Sequence, residues 1–417
     1  MLFSAERIVN IVLRSMTLCI RFLFIFFLAK YIDPSSIGYY GIFSATVSYG
    51  MYFVGLDFYI YTTREIIRTS EGRRGQMLKG QAALSAVLYV LLLPLAILLL
   101  RYVGWPIYLI WWFAPLLLLE YFNQEIYRLL IALSQQISAS LLLFMRQGSW
   151  GLVIVALMAW CAESRNLNAV MALWAFSGVV TAALGIVKLR KLRMGGWRLP
   201  IDWGWIRKGV VLSAAFLGAT LALRGIQTVD RYWLEALGGI QMVGAYVLFL
   251  GIAGTLLVFL DAGVFAYACP ELIRLAHDGE HALARKRMWQ ILLQTLALCV
   301  AFAFVSWLVL PFLLDWIGDP VYKNAIRLYP WILMAMTINA LGMVPHYVLY
   351  AYGKDRSIIA SHLVTLPVFG LSTWLVGMFQ PLLAVPIGLG ASFILILVWK
   401  TVACWRLGRN TGMATSS

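Results

Sequence analysis

Twelve stretches of this chain are each about as long and as apolar as a helix must be to cross the hydrocarbon core of a bilayer. They run at about 10–30, 36–60, 80–101, 106–128, 138–160, 167–187, 209–229, 241–266, 289–311, 327–350, 357–378 and 381–403, and the connections between them are short. In lipid every backbone polar group has to be satisfied within the spanning structure itself, so runs of this length read as helices. The expected fold class is an all-α polytopic membrane protein with about 12 transmembrane helices. The first run has no small-residue cleavage pattern behind it and leads directly into the second, which marks a retained span.

The net charge of +15 is explained by sidedness. Basic residues concentrate at 64–79, 188–208, 274–287 and 400–409, all on one side if the spans alternate, whereas the other side holds little beyond Lys30, Arg101, Arg165, Arg231, Lys323 and Arg327. The positive-inside rule then places both termini in the cytoplasm, and the basic excess requires no nucleic acid partner. The five cysteines stand singly without CxxC spacing, which predicts small, mostly buried side chains and neither a disulfide framework nor a metal site.

Charges inside the spans are the chemically informative residues. In the first span Asn10, Arg14, Thr17 and Arg21 fall within about 60° of one another on a helix, forming one polar stripe. A central membrane arginine costs roughly 2.5 to 3.5 kcal/mol on insertion scales, so Arg21 should face protein or water. The stripe is either a structural ion pair within a bundle or the wall of a cationic cavity for an anionic solute. Ser213, Thr220, Arg224 and Arg231 repeat the pattern in the seventh span, and Arg146 in the fifth is a further candidate cavity charge. Glu120, which shares a face of the fourth span with Asn123, Gln124 and Tyr127, either pairs with an arginine or binds a coupling ion. Asp57 and Asp261, near the cytoplasmic ends of the second and eighth spans, carry the same two readings, structural or ion-coupling.

Residues 188–208 (KLRKLRMGGWRLPIDWGWIRK), basic and rich in Trp, Gly and Pro, read as a cytoplasmic linker. The expected organisation is an N-terminal six-helix half at 1–187, this linker at 188–208, and a C-terminal six-helix half at 209–417. GYYGIF at Gly38 and GAYVLF at Gly244 correspond at an offset of 206, as do Arg68 and Arg274. An even number of spans per half gives both halves the same orientation, related by a pseudo-two-fold axis along the membrane normal.

LAKYIDPSSIGYYGIF at 28–43, TVDRYWLEALGG at 228–239, VGAY at 243–246 and AYGK at 351–354 resemble, in their order along the chain, the Wzx-type oligosaccharide flippases. These form the polysaccharide-transporter branch of the multidrug, oligosaccharidyl-lipid and polysaccharide exporter (MOP) superfamily. The chain has Ser35, Ser36 and Ile37 where such flippases often carry an acid between the proline and the glycine. The resemblance implies alternating access and a polyprenyl-diphosphate-linked oligosaccharide, such as an undecaprenyl-diphosphate-linked O-antigen unit, moved from the cytoplasmic to the periplasmic leaflet of a bacterial inner membrane. It also implies cationic residues in the first and seventh helices, here Arg14, Arg21 and Arg224. A proton or sodium ion would couple the cycle, and membrane lipid and glycan polymerase machinery would be further partners.

Arginine forks suit a diphosphate through charge-assisted hydrogen bonds. No nucleotide-binding motif occurs, and the expectation is a transporter without a cofactor. The alternatives are a drug or cation exporter of the same superfamily, which would want a net acidic site, and a membrane glycan polymerase or ligase. Such an enzyme would usually present catalytic groups on a sizeable external loop.

Overall fold

The computed structural model describes residues 5–410, with the side chains of residues 5–7, 215, 216 and 410 left out of the description. The Arg7 side chain and the outermost residues of both chain ends, expected on the cytoplasmic side, lie outside it. Among the described residues the fold is all helical.

The helices are α1 (Ala5–Tyr31), α2 (Pro34–Gly55), α3 (Tyr59–Arg68), α4 (Glu71–Tyr102), α5 (Ile107–Ala132), α6 (Gln136–Phe144), α7 (Trp150–Trp160) and α8 (Leu167–Lys191). They continue with α9 (Trp203–Gly238), α10 (Ile240–Leu260), α11 (Ala266–His277), α12 (His281–Ile317), α13 (Pro320–Asn324), α14 (Leu328–Ala351), α15 (Asp355–Gly377) and α16 (Pro381–Asn410). Two π-helical turns interrupt this series, Met145–Ser149 between α6 and α7 and Asp261–Phe265 between α10 and α11.

Nine helices among the described residues are long and apolar enough to span a membrane, and α9 adds a tenth as the pair 203–214 and 217–238. The second and fourth expected spans form α2 and α5, of 22 and 26 residues. Both are long enough to cross. Their composition is what differs: α2 is rich in Gly, Ser and Tyr, and the C-terminal half of α5 carries Glu120, Glu125 and Arg128. The second expected span also ends early. Leu56 and Asp57 take left-handed backbone angles (φ 49° and 50°), which terminates α2 and turns the chain into α3. Asp57 and Arg64 therefore do not share one continuous helical face.

Local signals explain the sharp breaks. Asp33 caps α2, its carboxylate accepting from the Ser36 backbone N–H (3.0 Å) and the Ser36 hydroxyl (2.6 Å), with Pro34 in the first helical position. The same Asp-Pro device starts α13, where Asp319 accepts from the Val321 N–H at 2.8 Å. Gly318, at φ 85°, closes the 37-residue α12 just before it.

The chain forms two compact units. The first comprises residues up to Ile32 together with Ile42–Leu221, and the second comprises Asp33–Gly41 together with residues from Ala222 onward. In the first unit α4 is an outer helix, with only 11% of its apolar window buried, and Val90, Leu91 and Leu95 face outward. This is the surface expected of a helix solvated by lipid. The segment at 192–202 is tied to the start of α4: Gly75 N–H donates to Gly195 O (2.7 Å), and Lys79 Nζ donates to Leu199 O (3.0 Å). Trp205 then packs edge-on against Phe58 at 5.2 Å between ring centres.

In the second unit, α10, α11, α12 and α14 share a core around Leu256, Leu260, Phe265, Ala340 and Val344. Here α12 is the outer helix, its apolar window 17% buried. The first turns of α2 pack on α10 within this unit. A Cβ on Gly38 would lie 2.2 Å from the Ile240 carbonyl oxygen, and one on Gly244 would lie 2.0 Å from that of Pro34. The pairs 34 and 240, and 38 and 244, are both separated by the offset of 206 noted in the sequence. The contact is thus reciprocal at that offset.

Of the cysteines expected to be buried, only Cys299 is so among the described residues, while Cys19 and Cys161 are exposed. Both exposed thiols belong to helix surfaces or ends outside the packed cores.

Candidate functional site

The polar stripe of α1 faces α6 and the π-turn that follows it. Arg14 Nε donates to Ser140 Oγ (3.1 Å), and Ser140 in turn donates to Asn10 Oδ1. About two turns on, Arg21 Nη1 donates to Gln147 Oε1 at 2.9 Å. Both arginine contacts join residues 126 apart, so α1 and the α6 segment run parallel in constant register. Thr17 is buried and bonds back to Leu13 O (2.7 Å), whereas Arg14 and Arg21 remain exposed.

Arg146 has a different environment. It lies in the π-turn, 4% exposed, with Nε 2.7 Å and Nη2 2.5 Å from Glu120 Oε2 and Nη1 bonded to Gln124 Oε1. Trp174 Nε1 donates to the other carboxylate oxygen at 2.7 Å, and Trp174 stacks on Trp150 at 5.7 Å. A π-turn leaves backbone carbonyls without their usual i+4 donors, and side chains take their place. Ser149 and Ser177 hydroxyls both donate to Met145 O, at 2.8 and 2.5 Å, and Trp150 Nε1 donates to Arg146 O at 3.0 Å. The widened turn turns Arg146 inward onto Glu120, so its charge is spent on an internal pair and does not line an open surface.

The seventh-span stripe divides between the units. Ser213 and Thr220 belong to the first, Arg224 and Arg231 to the second. Arg224 is exposed and donates to Gln227 Oε1 (2.9 Å). Arg231 instead pairs with Asp230, Nη1 to Oδ1 at 3.0 Å, and the 1%-exposed Asp230 also accepts from the Tyr246 hydroxyl at 2.7 Å.

Asp57 is buried at the α2–α3 turn, close to a further acid that the sequence reading did not single out. Glu125 on α5 accepts from Gln81 Nε2 (2.5 Å) and pairs with Arg128 (2.6 Å), whose guanidinium lies 3.5 Å from the Tyr59 ring centre. Beside it the Ser85 and Tyr121 hydroxyls share a hydrogen bond of 2.5 Å. Asp261 opens the second π-turn, is exposed, and faces the Tyr347 hydroxyl.

Lys400, counted in the sequence among cytoplasmic basic residues, is 2% exposed. Its ammonium sits 3.1 Å from both His346 Nδ1 and His362 Nε2. Glu125, Asp230 and Lys400 each carry a detectable signal, a charged residue inside or at the margin of an apolar run. Their partners lie on other helices, so spacing along one helix does not find them.

No family model and no curated protein matches the chain. Solved structures do match it over nearly the whole length. The chain is similar, at 13% identity and a TM-score of 0.79, to a structure described as the inward-facing conformation of a multidrug resistance MATE family transporter of the MOP superfamily, with 98% of this chain and 100% of that one covered. A Vibrio cholerae MATE transporter, VcmN in the bent form, matches at 15% identity and 0.59, covering 98% and 99%. A MOP superfamily transporter from Pyrococcus furiosus, whose binding pocket is described as reversed in polarity and suggestive of a different function, matches at 13% and 0.59, covering 98% and 94%. The chain has the fold of the MOP-superfamily transporters.

Proposed function

We propose that this protein is a flippase for an anionic lipid-linked glycan, moving a polyprenyl-diphosphate oligosaccharide of the O-antigen type across a bacterial inner membrane by alternating access. The observation that carries the reading is how the helix-borne charges are distributed. Arg146, Arg128 and Arg231 are each held by a carboxylate, whereas the exposed Arg14 and Arg224 bond to the neutral side chains of Ser140 and Gln227. A guanidinium bonded to an amide or hydroxyl keeps its charge and its remaining N–H donors for a phosphate. An apolar polyprenyl tail would stay in the bilayer, and outward-facing leucines and valines on α4 and α12 are compatible with that surrounding.

A multidrug or cation exporter is the second reading, favoured by the description of the structure matched at 0.79. A cationic cargo would be repelled by the exposed arginines, and the acids Glu120, Glu125 and Asp230 are already paired with arginines. The fold-sharing transporter of reversed pocket polarity is a precedent for one fold with differently charged sites.

The test is the sidedness of a labelled polyprenyl-diphosphate oligosaccharide in sealed vesicles containing the full chain. Movement of the label by the unaltered protein, and its loss in Arg21→Ala and Arg224→Ala variants that remain folded, is the expected result. Normal movement in both variants would remove the arginines from the site. Extension of the sugar in place of movement would make the protein a glycan polymerase or ligase.

A further inference from the structure

Lysine is almost never fully buried without an acidic partner, yet among the described residues no carboxylate lies within ion-pair distance of Lys400. Its two hydrogen-bond partners are themselves bases. His346 comes from α14 and His362 from α15, their rings parallel within 9° at 6.2 Å, and Lys400 projects between them from α16. The other titratable groups nearby are few. On α16 Cys404, one turn on, donates to Pro345 O (3.4 Å), and on α14 Tyr347 adjoins His346 and faces Asp261 of the second π-turn.

Hydrogen-bond bookkeeping gives this cluster a definite property. An ammonium donates, so both imidazole nitrogens that face it must carry lone pairs. A proton taken up at either facing nitrogen turns an acceptor into a donor, breaks an N–H···N bond and sets two cations about 3 Å apart. Conversely, loss of the Lys400 proton leaves an amine that accepts from only one protonated imidazole. Each gain or loss therefore rearranges the only side-chain hydrogen bonds that Lys400 makes to α14 and α15 among the described residues. The cluster lies within a few turns of the helix ends around the Tyr352–Lys354 connection, and both imidazoles are half-buried while the ammonium is not accessible. The imidazoles, and not the ammonium, are therefore the members of the cluster open to their surroundings.

We propose that Lys400, His346 and His362 form a proton-binding site in the second unit, and that the coupling ion of the transport cycle is a proton bound there. The step is a proton transfer alone: starting from the neutral Lys400 amine, a proton from water binds one imidazole and passes along N–H···N to the Nζ lone pair, and the reverse transfer from the ammonium through the imidazole returns it to water, with no electron exchanged. The coupling half of this proposal rests on the transport reading above.

Two measurements on the full chain separate the claims. In nanodiscs, nitrogen-15 histidine spectra are followed against pH for the unaltered protein and Lys400→Met. Interacting sites titrate together, so removing Nζ should move the midpoints of His346 and His362 by about one pH unit or more. Unmoved midpoints overturn the proton site, whatever the cargo. In vesicles, movement of the labelled polyprenyl-diphosphate oligosaccharide is timed with and without an imposed pH gradient. The unaltered protein should be accelerated by the gradient, and Lys400→Arg, which keeps the cation but cannot release its proton, should lose the acceleration. Full acceleration in Lys400→Arg, or acceleration by sodium and not by pH, overturns the coupling role. If the unaltered protein moves no label, the flippase reading fails while the spectra still decide the proton site.

Discussion

Glu120 on α5 and Arg146 in the first π-turn are 26 residues apart in sequence and 2.7 Å apart in space, both less than a tenth exposed. Trp174 and Gln124 complete their hydrogen bonding. A carboxylate so placed is satisfied by protein, and the pair ties α5, α8 and the π-turn of the first unit into one polar knot.

Removing one member strands the other as a buried charge, which costs about 3 to 5 kcal/mol. Glu120→Ala is therefore expected to lower the thermal unfolding temperature in detergent far more than Arg21→Ala, which removes an exposed group. The double variant Glu120→Ala with Arg146→Met should recover part of the loss. Thermal curves for the four proteins decide it, and an unshifted Glu120→Ala would contradict the pair's structural weight.

Asp230 holds Arg231 and the Tyr246 hydroxyl with its two oxygens. Its replacement by Ala is expected to cost on the order of 3 kcal/mol, since an arginine and a buried hydroxyl both lose their acceptor. Tyr246→Phe, which deletes only the neutral donor, should cost about 1 kcal/mol. Reversible unfolding of the two variants measures the difference, and equal losses would place the weight on the tyrosine hydroxyl.

Gly38 and Gly244 leave no room for a methyl group, because the nearest atom in each case is a backbone carbonyl. Gly38→Ala and Gly244→Ala should each destabilise by about 1 to 3 kcal/mol or prevent accumulation in the membrane. Gly254, also on α10, has nothing within 4 Å of an added Cβ, so Gly254→Ala should be neutral or slightly stabilising. Expression level and unfolding temperature compare the three directly.

Asp33 lies in the connection between α1 and α2. Burial raises its carboxyl, but the bonds from the Ser36 hydroxyl and N–H outweigh that effect and hold it below the ordinary carboxylate value. A group with a lowered folded pKa contributes stability above its unfolded pKa and loses it as pH falls through the folded one. Asp33→Ala should thus cost about 1 kcal/mol at neutral pH through the lost cap. The gap to the unaltered protein should narrow below about pH 4, where the free carboxyl itself becomes protonated. Unfolding temperatures measured across pH 3 to 7 test the sign.

The helical spans were legible because lipid imposes a length and an apolarity that composition along the chain reveals directly. Even α2 and α5, whose polar residues dilute that signal, form helices close to the expected positions. The end of the second span was not legible: two left-handed residues at Leu56 and Asp57 stop α2, and neither residue type announces that conformation. The polar stripes were legible as well, since periodicity places Asn10, Arg14, Thr17 and Arg21 on one face whatever that face meets.

What the sequence by itself determined is which residues are too polar for lipid and which share a helical face, because both follow from one helix and its solvent. What only the tertiary structure decided is which charges are neutralised. Arg146 and Arg14 are alike in sequence, each an arginine inside an apolar run. The π-turn presents Arg146 to Glu120 on another helix, while α1 presents Arg14 to a serine. Lys400 reads as one more basic residue at a span's end, and its two histidine partners arrive from α14 and α15. Pairing depends on distances between helices, and those are set by packing that no single segment encodes.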